Sequence, residues 1–206
     1  NSSLFFFLES ILSLTDAHDA SRTKIIIKCK LNDALLIESE IYSDTRGCFF
    51  ESYNKNKFSK MIGKDIAFVQ DNFSESKKNV LRGLHFQTNP KAQGKLIKVI
   101  SGEIFDVIVD IRRSSSTFMQ WEGINLSSTQ KKQLWIPVGF AHGFLTLSEE
   151  AYFEYKCTDY YNKSDEGIIN CKDPDLNIPW PSNINTIISQ KDEAGKSFQD
   201  FIGSLK

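Results

Sequence analysis

A succession of short extended runs between Lys24 and Tyr161 constrains this chain more than any other feature. KIIIKCKL, ALLIESEIY, CFFESYN, IAFVQDNFSES, LRGLHFQ, GKLIKVI, IFDVIVDI, TFMQWEGINLS, KQLWIPVGFAHGFLTLS and AYFEYKCTDYY follow one another. They are rich in β-branched and aromatic residues, and Gly, Ser, Asn or Pro punctuates them. FSKMIGKDI predicts one short helix, but nothing in residues 24–161 sustains a long helical period. Many short strands at regular spacing predict an antiparallel sandwich or barrel, and Greek-key closure into a jelly roll protects the edges economically. SGE at 101–103 predicts a tight turn between LIKVI and IFDVIVDI, and KDEAGKSFQDFIGSL predicts a short helix near the C-terminus.

The 206 residues suit one domain, here residues 24–206, plus an N-terminal extension of different character over residues 1–23. Sixteen phenylalanines allow a sizeable core. A net charge of −1, with Lys and Arg spread along the chain, excludes a nucleic-acid surface built on bulk positive charge. It leaves room for one phosphate group held by a few convergent cations. LFFFLESILSL is apolar but short and interrupted by Glu9, whereas a membrane span needs roughly 20 apolar residues. It also lacks the basic flank of a signal peptide, so no membrane association is expected. Cys29, Cys48, Cys157 and Cys171 form no CxxC pair, which argues against a zinc site and for reduced thiols in the cytoplasm.

Chemistry has few places to reside. In LRGLHFQ, strand alternation places Arg82, Leu84 and Phe86 on one face, and Gly83, His85 and Gln87 on the other. A half-buried histidine is as often a hydrogen-bonded core residue as a reactive one. A metal-binding barrel would have a second imidazole at position 87, making an HxH pair, but the chain has Gln87 there. With His142 the one other histidine outside the N-terminal stretch, a three-histidine site is out of reach, and no metal or cofactor is expected. Gly139 and Gly143 flank His142, which suits close approach by a ligand. Lys95 opens a strand, and alternation groups Phe68 with Gln70 and Asn72. In AYFEYKCTDYY it sets Phe153, Tyr155 and Cys157 against Tyr152, Glu154 and Lys156. Taken singly, each tyrosine there is better read as barrel filling, and Lys95, Arg46 and Glu51 as surface.

Taken together, RGLHFQ, QGKLIKVISGEIFDVIVDIRRSSSTFMQW, QLWIPVGFAHGFLTLS and YKCTDYY resemble the dTDP-4-dehydrorhamnose 3,5-epimerase family of the cupin superfamily. The resemblance runs from about Lys24 to the C-terminus. It implies a mainly β fold, a cupin-type double-stranded β-helix jelly roll with short helices near the C-terminus, usually a homodimer working without metal on a dTDP-sugar. By that resemblance His85 is the general base, Asp192 its orienting carboxylate, Tyr155 the proton donor, and Lys95 the cation beside the 4-keto oxygen. Arg46, Glu51, Gln70, Asn72, Arg82, His142, Glu166 and Lys191 match nucleotide and diphosphate contacts, and Tyr161 matches a residue stacking on the thymine ring.

The chemistry agrees with that assignment. Inverting a carbon next to a ketone removes a proton from one face and returns one to the other. The site must supply a base, an acid across the ring, and a cation for the developing enolate oxygen. Imidazole, phenol and ammonium suit those parts at neutral pH. The ketone is itself the electron sink. Competing expectations are a related cupin that epimerises C3 alone or moves the keto group between C3 and C4, and a silent sugar-binding barrel. A mere binder would need no acid–base pair.

Overall fold

The computed structural model describes residues 25–181 and 185–204. The expected extension, residues 1–23, lies outside the described residues.

Thirteen strands and three helices follow in order among them: β1 (Ile25–Lys28), β2 (Leu35–Glu38), β3 (Tyr42–Asp44), β4 (Gly47–Phe49), α1 (Lys55–Ile62), β5 (Gln70–Lys77), β6 (Leu81–Gln87), β7 (Lys95–Ser101), β8 (Glu103–Asp110), β9 (Trp121–Ser127), β10 (Lys132–Ile136), β11 (Phe140–Thr146), β12 (Glu150–Cys157), β13 (Glu166–Ile168), α2 (Gln190–Glu193) and α3 (Phe198–Ser204). One sheet has the order β1-β2-β10-β7-β12-β5, the facing sheet β13-β6-β11-β8-β9, and β3 pairs with β4 in a separate hairpin. All pairings are antiparallel. This is the expected cupin-type jelly roll. Strands adjacent in sequence mostly lie in different sheets, so the chain winds between the two layers. The turn expected at SGE is present, with Gly102 at φ +81°, but it carries the chain from β7 in one sheet to β8 in the other. ALLIESEIY, which reads as a single run, breaks after Glu38 into β2 and β3.

Alternation along the strands builds three apolar layers. Between the sheets lie Ile97, Val99, Leu134, Ile136 and Phe153 from one side, against Ile104, Ile108, Phe140 and Phe144 from the other. The outer face of the five-stranded sheet, including Leu84, Phe86, Val107, Val109 and Leu145, is covered by the C-terminal segment through Leu176, Phe198 and Phe201. The outer face of the six-stranded sheet packs Ile37, Leu96 and Trp135 against Phe58 of α1. That helix starts where the Asn54 side chain accepts from the Lys57 N–H at 3.1 Å, and ends at Gly63 with φ +73°. Covering both outer faces makes β6, β7 and β11 buried on two sides. Only the ends of the barrel remain for function.

Candidate active site

At one end the interior-facing side chains of both sheets surround a pocket of about 250 Å³. Gln70 and Asn72 come from β5, His85 and Gln87 from β6, Lys95 from β7, Tyr155 from β12, and Glu166 from β13; Phe86, Gln93 and Tyr161 complete the lining. The pocket therefore brings together seven of the thirteen residues singled out from the sequence, six of them from strands and Tyr161 from the loop after β12. Phe153, Tyr155 and Cys157 do share the inner face of β12, and Gln70 and Asn72 that of β5, but Phe68, expected beside them, precedes β5 and packs on the outer face against Phe58 and Trp135.

His85 does not stand alone. Its Nε2 lies 2.7 Å from Asp192 Oδ1, and Asp192 is 4% exposed. The C-terminal segment delivers that carboxylate. Backbone bonds from Leu81 to Ile187 and from Lys196 to Ile168 tie it to the sheet, and Ser189 caps the single turn of α2 by accepting from the Asp192 N–H. The same turn directs Lys191 outward to Glu166 at 2.7 Å. Burial pushes the Asp192 carboxyl up, but its bonds to His85 and to the Gly83 N–H (3.2 Å) outweigh this and hold it below the usual carboxylate value. An ionised Asp192 accepts the Nε2 proton of a neutral imidazole, which leaves Nδ1 as the basic nitrogen.

Strict alternation fails in β6. His85 pairs with His142 of β11, but Arg82 pairs with Phe144, so β6 holds one residue more than its partner between these points. This bulge turns Arg82 onto the inner face with His85, against the sequence expectation that it would point away. Arg82 is held there by Ser76 Oγ at 3.1 Å and the Glu75 carbonyl at 3.2 Å. Gly83 sits at φ +120°, where a Cβ would lie 2.5 Å from Gly143 Cα. Glycine at both positions lets the two backbones touch, and places His85 directly beside His142.

His142 lies beneath the pocket, 7% exposed, with its Nε2 2.9 Å from Asp106 Oδ2. Burial holds its pKa below the ordinary value, against the pull of Asp106, so the ring is neutral. Asp106 is a functional candidate that reading the sequence missed. It is fully buried, and its second oxygen has no hydrogen-bond partner within the protein. Its one signal is a carboxylate interrupting the apolar run IFDVIVDI.

Lys95 and Tyr155 come from the six-stranded sheet and face His85 across the pocket. The ammonium lies 5.9 Å from the centre of the Tyr155 ring, which stacks on Phe153. Desolvation lowers the Lys95 pKa, opposed by Cys157, Asp106 and Glu166. Burial raises that of Tyr155, so the phenol keeps its proton at neutral pH.

At the mouth, Tyr161 is half exposed and donates its hydroxyl proton to Glu166 Oε2 at 2.9 Å. Burial raises the Glu166 carboxyl, but its bonds to Lys191 and Tyr161 bring it below the ordinary value. Arg46 and Glu51 are not part of this lining. Arg46 sits at the tip of the β3–β4 hairpin against Asp44, and Glu51 pairs with Lys57 at 3.1 Å. Among the described residues, no group of three or more His, Cys, Asp or Glu side chains is placed to hold a metal ion. None of their helices is long and apolar enough to cross a membrane.

Two facing sheets that close on a pocket able to take a proton from one side and return one from the other define a cupin-type isomerase. The chain belongs to the dTDP-4-dehydrorhamnose 3,5-epimerase family, whose sequence profile matches residues 28–200. It is 55% identical over 170 residues to the dTDP-4-dehydrorhamnose 3,5-epimerase of Salmonella typhimurium, covering 82% of this chain and 93% of that one. The crystal structure of the enzyme from Elizabethkingia anophelis matches with a TM-score of 0.84 at 43% identity, covering 87% and 98%. The dTDP-6-deoxy-D-glucose-3,5-epimerase RmlC of Legionella pneumophila, crystallised in complex with dTDP-4-keto-L-rhamnose, matches with a TM-score of 0.82 at 47% identity, covering 89% and 95%.

Proposed function

We propose that this protein inverts C3 and C5 of dTDP-4-keto-6-deoxy-D-glucose, giving dTDP-4-keto-L-rhamnose for nucleotide-sugar biosynthesis in the cytoplasm. The observation that carries the reading is the placement of His85, backed by Asp192, opposite Tyr155 and Lys95 on the two walls of one pocket. His85 Nδ1 takes the proton from the carbon next to the ketone. The electron pair moves onto the C4 oxygen, where the Lys95 ammonium stabilises the enolate. Tyr155 then donates its proton to the opposite face as the ketone reforms. Imidazolium and phenolate remain, and solvent resets both.

The mouth supports nucleotide recognition. Arg82 and Lys191 offer cations for a diphosphate, Gln70 and Asn72 offer amides, and Tyr161 offers a ring on which a base can stack. Arg46 and Glu51, absent from the lining of this pocket, fit a homodimer in which the β3–β4 hairpin meets a second copy. That hairpin exposes Ile41, Tyr42 and Phe49, the last at 69%. Sedimentation equilibrium giving a monomer at micromolar concentration would remove the dimer.

Nuclear magnetic resonance of the product tests the reaction. Inversion at both carbons is expected. Inversion at C3 alone would favour the narrower epimerase, and a shifted keto group the ketoisomerase.

A further inference from the structure

Gln87 stands two residues beyond His85 on the same face of β6 and is 8% exposed. The reaction proposed above gives it no part. Its side-chain amide is nevertheless fully engaged with backbone, mainly that of the loop following β12. Nε2 donates to the Tyr160 carbonyl at 3.2 Å and to the Lys91 carbonyl, and Oε1 accepts from the Asn162 N–H at 2.7 Å. One amide thus holds the residues on both sides of Tyr161. Two further glutamines hold neighbouring positions: Gln70 Oε1 accepts from the Tyr161 N–H at 2.9 Å, and Gln93 Nε2 donates to the Asp159 carbonyl at 2.7 Å. Residues 158–162 belong to no strand or helix, and side chains bond the backbone of Asp159, Tyr160, Tyr161 and Asn162. Of the three glutamines, Gln87 alone is buried and uses both ends of its amide on this loop.

We propose that Gln87 is a positioning residue that fixes Tyr161 at the pocket mouth in advance of the nucleotide base. This rests on Tyr161 as the stacking partner. The task needs a donor and an acceptor at fixed separation on one buried side chain, which an amide of this length supplies. A glutamate there would keep the acceptor but set a carboxylate against two carbonyl oxygens. A methionine would keep the size and lose every bond. A loop ordered before binding spares the ligand that cost, so the benefit falls on affinity rather than on the chemical step.

The test is dTDP binding by calorimetry to the wild type, Gln87→Met, Tyr161→Ala and the double variant. It is paired with kcat and KM on dTDP-4-keto-6-deoxy-D-glucose. Gln87→Met should raise Kd and KM roughly ten-fold, in line with loss of a buried hydrogen-bond pair, and change kcat far less. In the Tyr161→Ala background the same substitution should add nothing. Full additivity, or a fall in kcat with KM unmoved, would overturn the proposal. If Tyr161→Ala binds dTDP as the wild type does, the stacking reading fails and the proposal with it. If Tyr161→Ala weakens binding and Gln87→Met does not, the proposal alone fails. Should Gln87→Met not fold, Gln87→Glu carries the same comparison.

Discussion

In the proposed reaction His85, Lys95 and Tyr155 share the proton transfer, and burial shifts the last two in directions that bear on their parts. Tyr155 lies in surroundings that raise its pKa, so it is protonated when the enolate needs an acid. Tyr155→Phe removes one hydroxyl and keeps the ring stacked on Phe153, so packing is preserved. The variant should still exchange solvent deuterium into the substrate while forming little inverted product. Full turnover would show that another group is the acid. Lys95 must be cationic to stabilise the enolate, and burial lowers its pKa below 10.5. Activity should therefore persist below that depressed value and fall as pH rises through it. The groups facing Lys95 are Cys157, Asp106, Glu166, His142 and the Tyr155 ring, and burial raises the pKa values of Cys157 and Tyr155. Lys95→Arg should move the alkaline limb of kcat upward, because guanidinium stays protonated. A limb unchanged in that variant would assign it to another group.

Among the elements, β6 decides the site, and its sequence shows both the strength and the failure of alternation. The period of two places His85 and Gln87 on the inner face, and the structure agrees. It misplaces Arg82, because the bulge around Gly83 depends on contact with β11, which no local pattern encodes. Gly83 itself is the available signal, a glycine inside an apolar strand. Gly83→Ala would force a side chain into φ +120° and onto backbone atoms of His142 and Gly143 at 2.7 and 2.5 Å. Strain of that kind costs about 1–3 kcal/mol before the clash, which lowers Tm by roughly 2–12 °C in a chain of this size. Thermal unfolding would show it, and an unchanged Tm would mean the bulge tolerates a side chain. Of the α2 turn the sequence predicts only a short helix somewhere in KDEAGKSFQDFIGSL. Its cap, Ser189, lies just before that stretch, and the cap is what aims Asp192 at His85.

Across the whole molecule, the jelly roll was legible because its strands carry their own period and punctuation. What connects them was less so: SGE shows a turn but not that the turn changes sheets. Asp192, 107 residues from His85, shows no spacing that ties it to its partner, and the resemblance supplied it. Asp106 stayed hidden because one carboxylate in an apolar strand does not tell which histidine it will meet. Arg46 and Glu51 match nucleotide contacts by resemblance yet lie outside the lining of this chain's own pocket.

In the proposed reaction one histidine, with an acid on the opposite wall, inverts both carbons beside the ketone. Turnover of dTDP-4-keto-6-deoxy-D-glucose in heavy water, with deuterium counted at C3 and C5, tests it most directly. The wild type should place one deuteron at each carbon. His85→Asn should slow both exchanges together, by about 10²–10⁴, as expected for loss of a general base. Deuterium at only one carbon, or exchange at either carbon surviving in His85→Asn, would contradict the account.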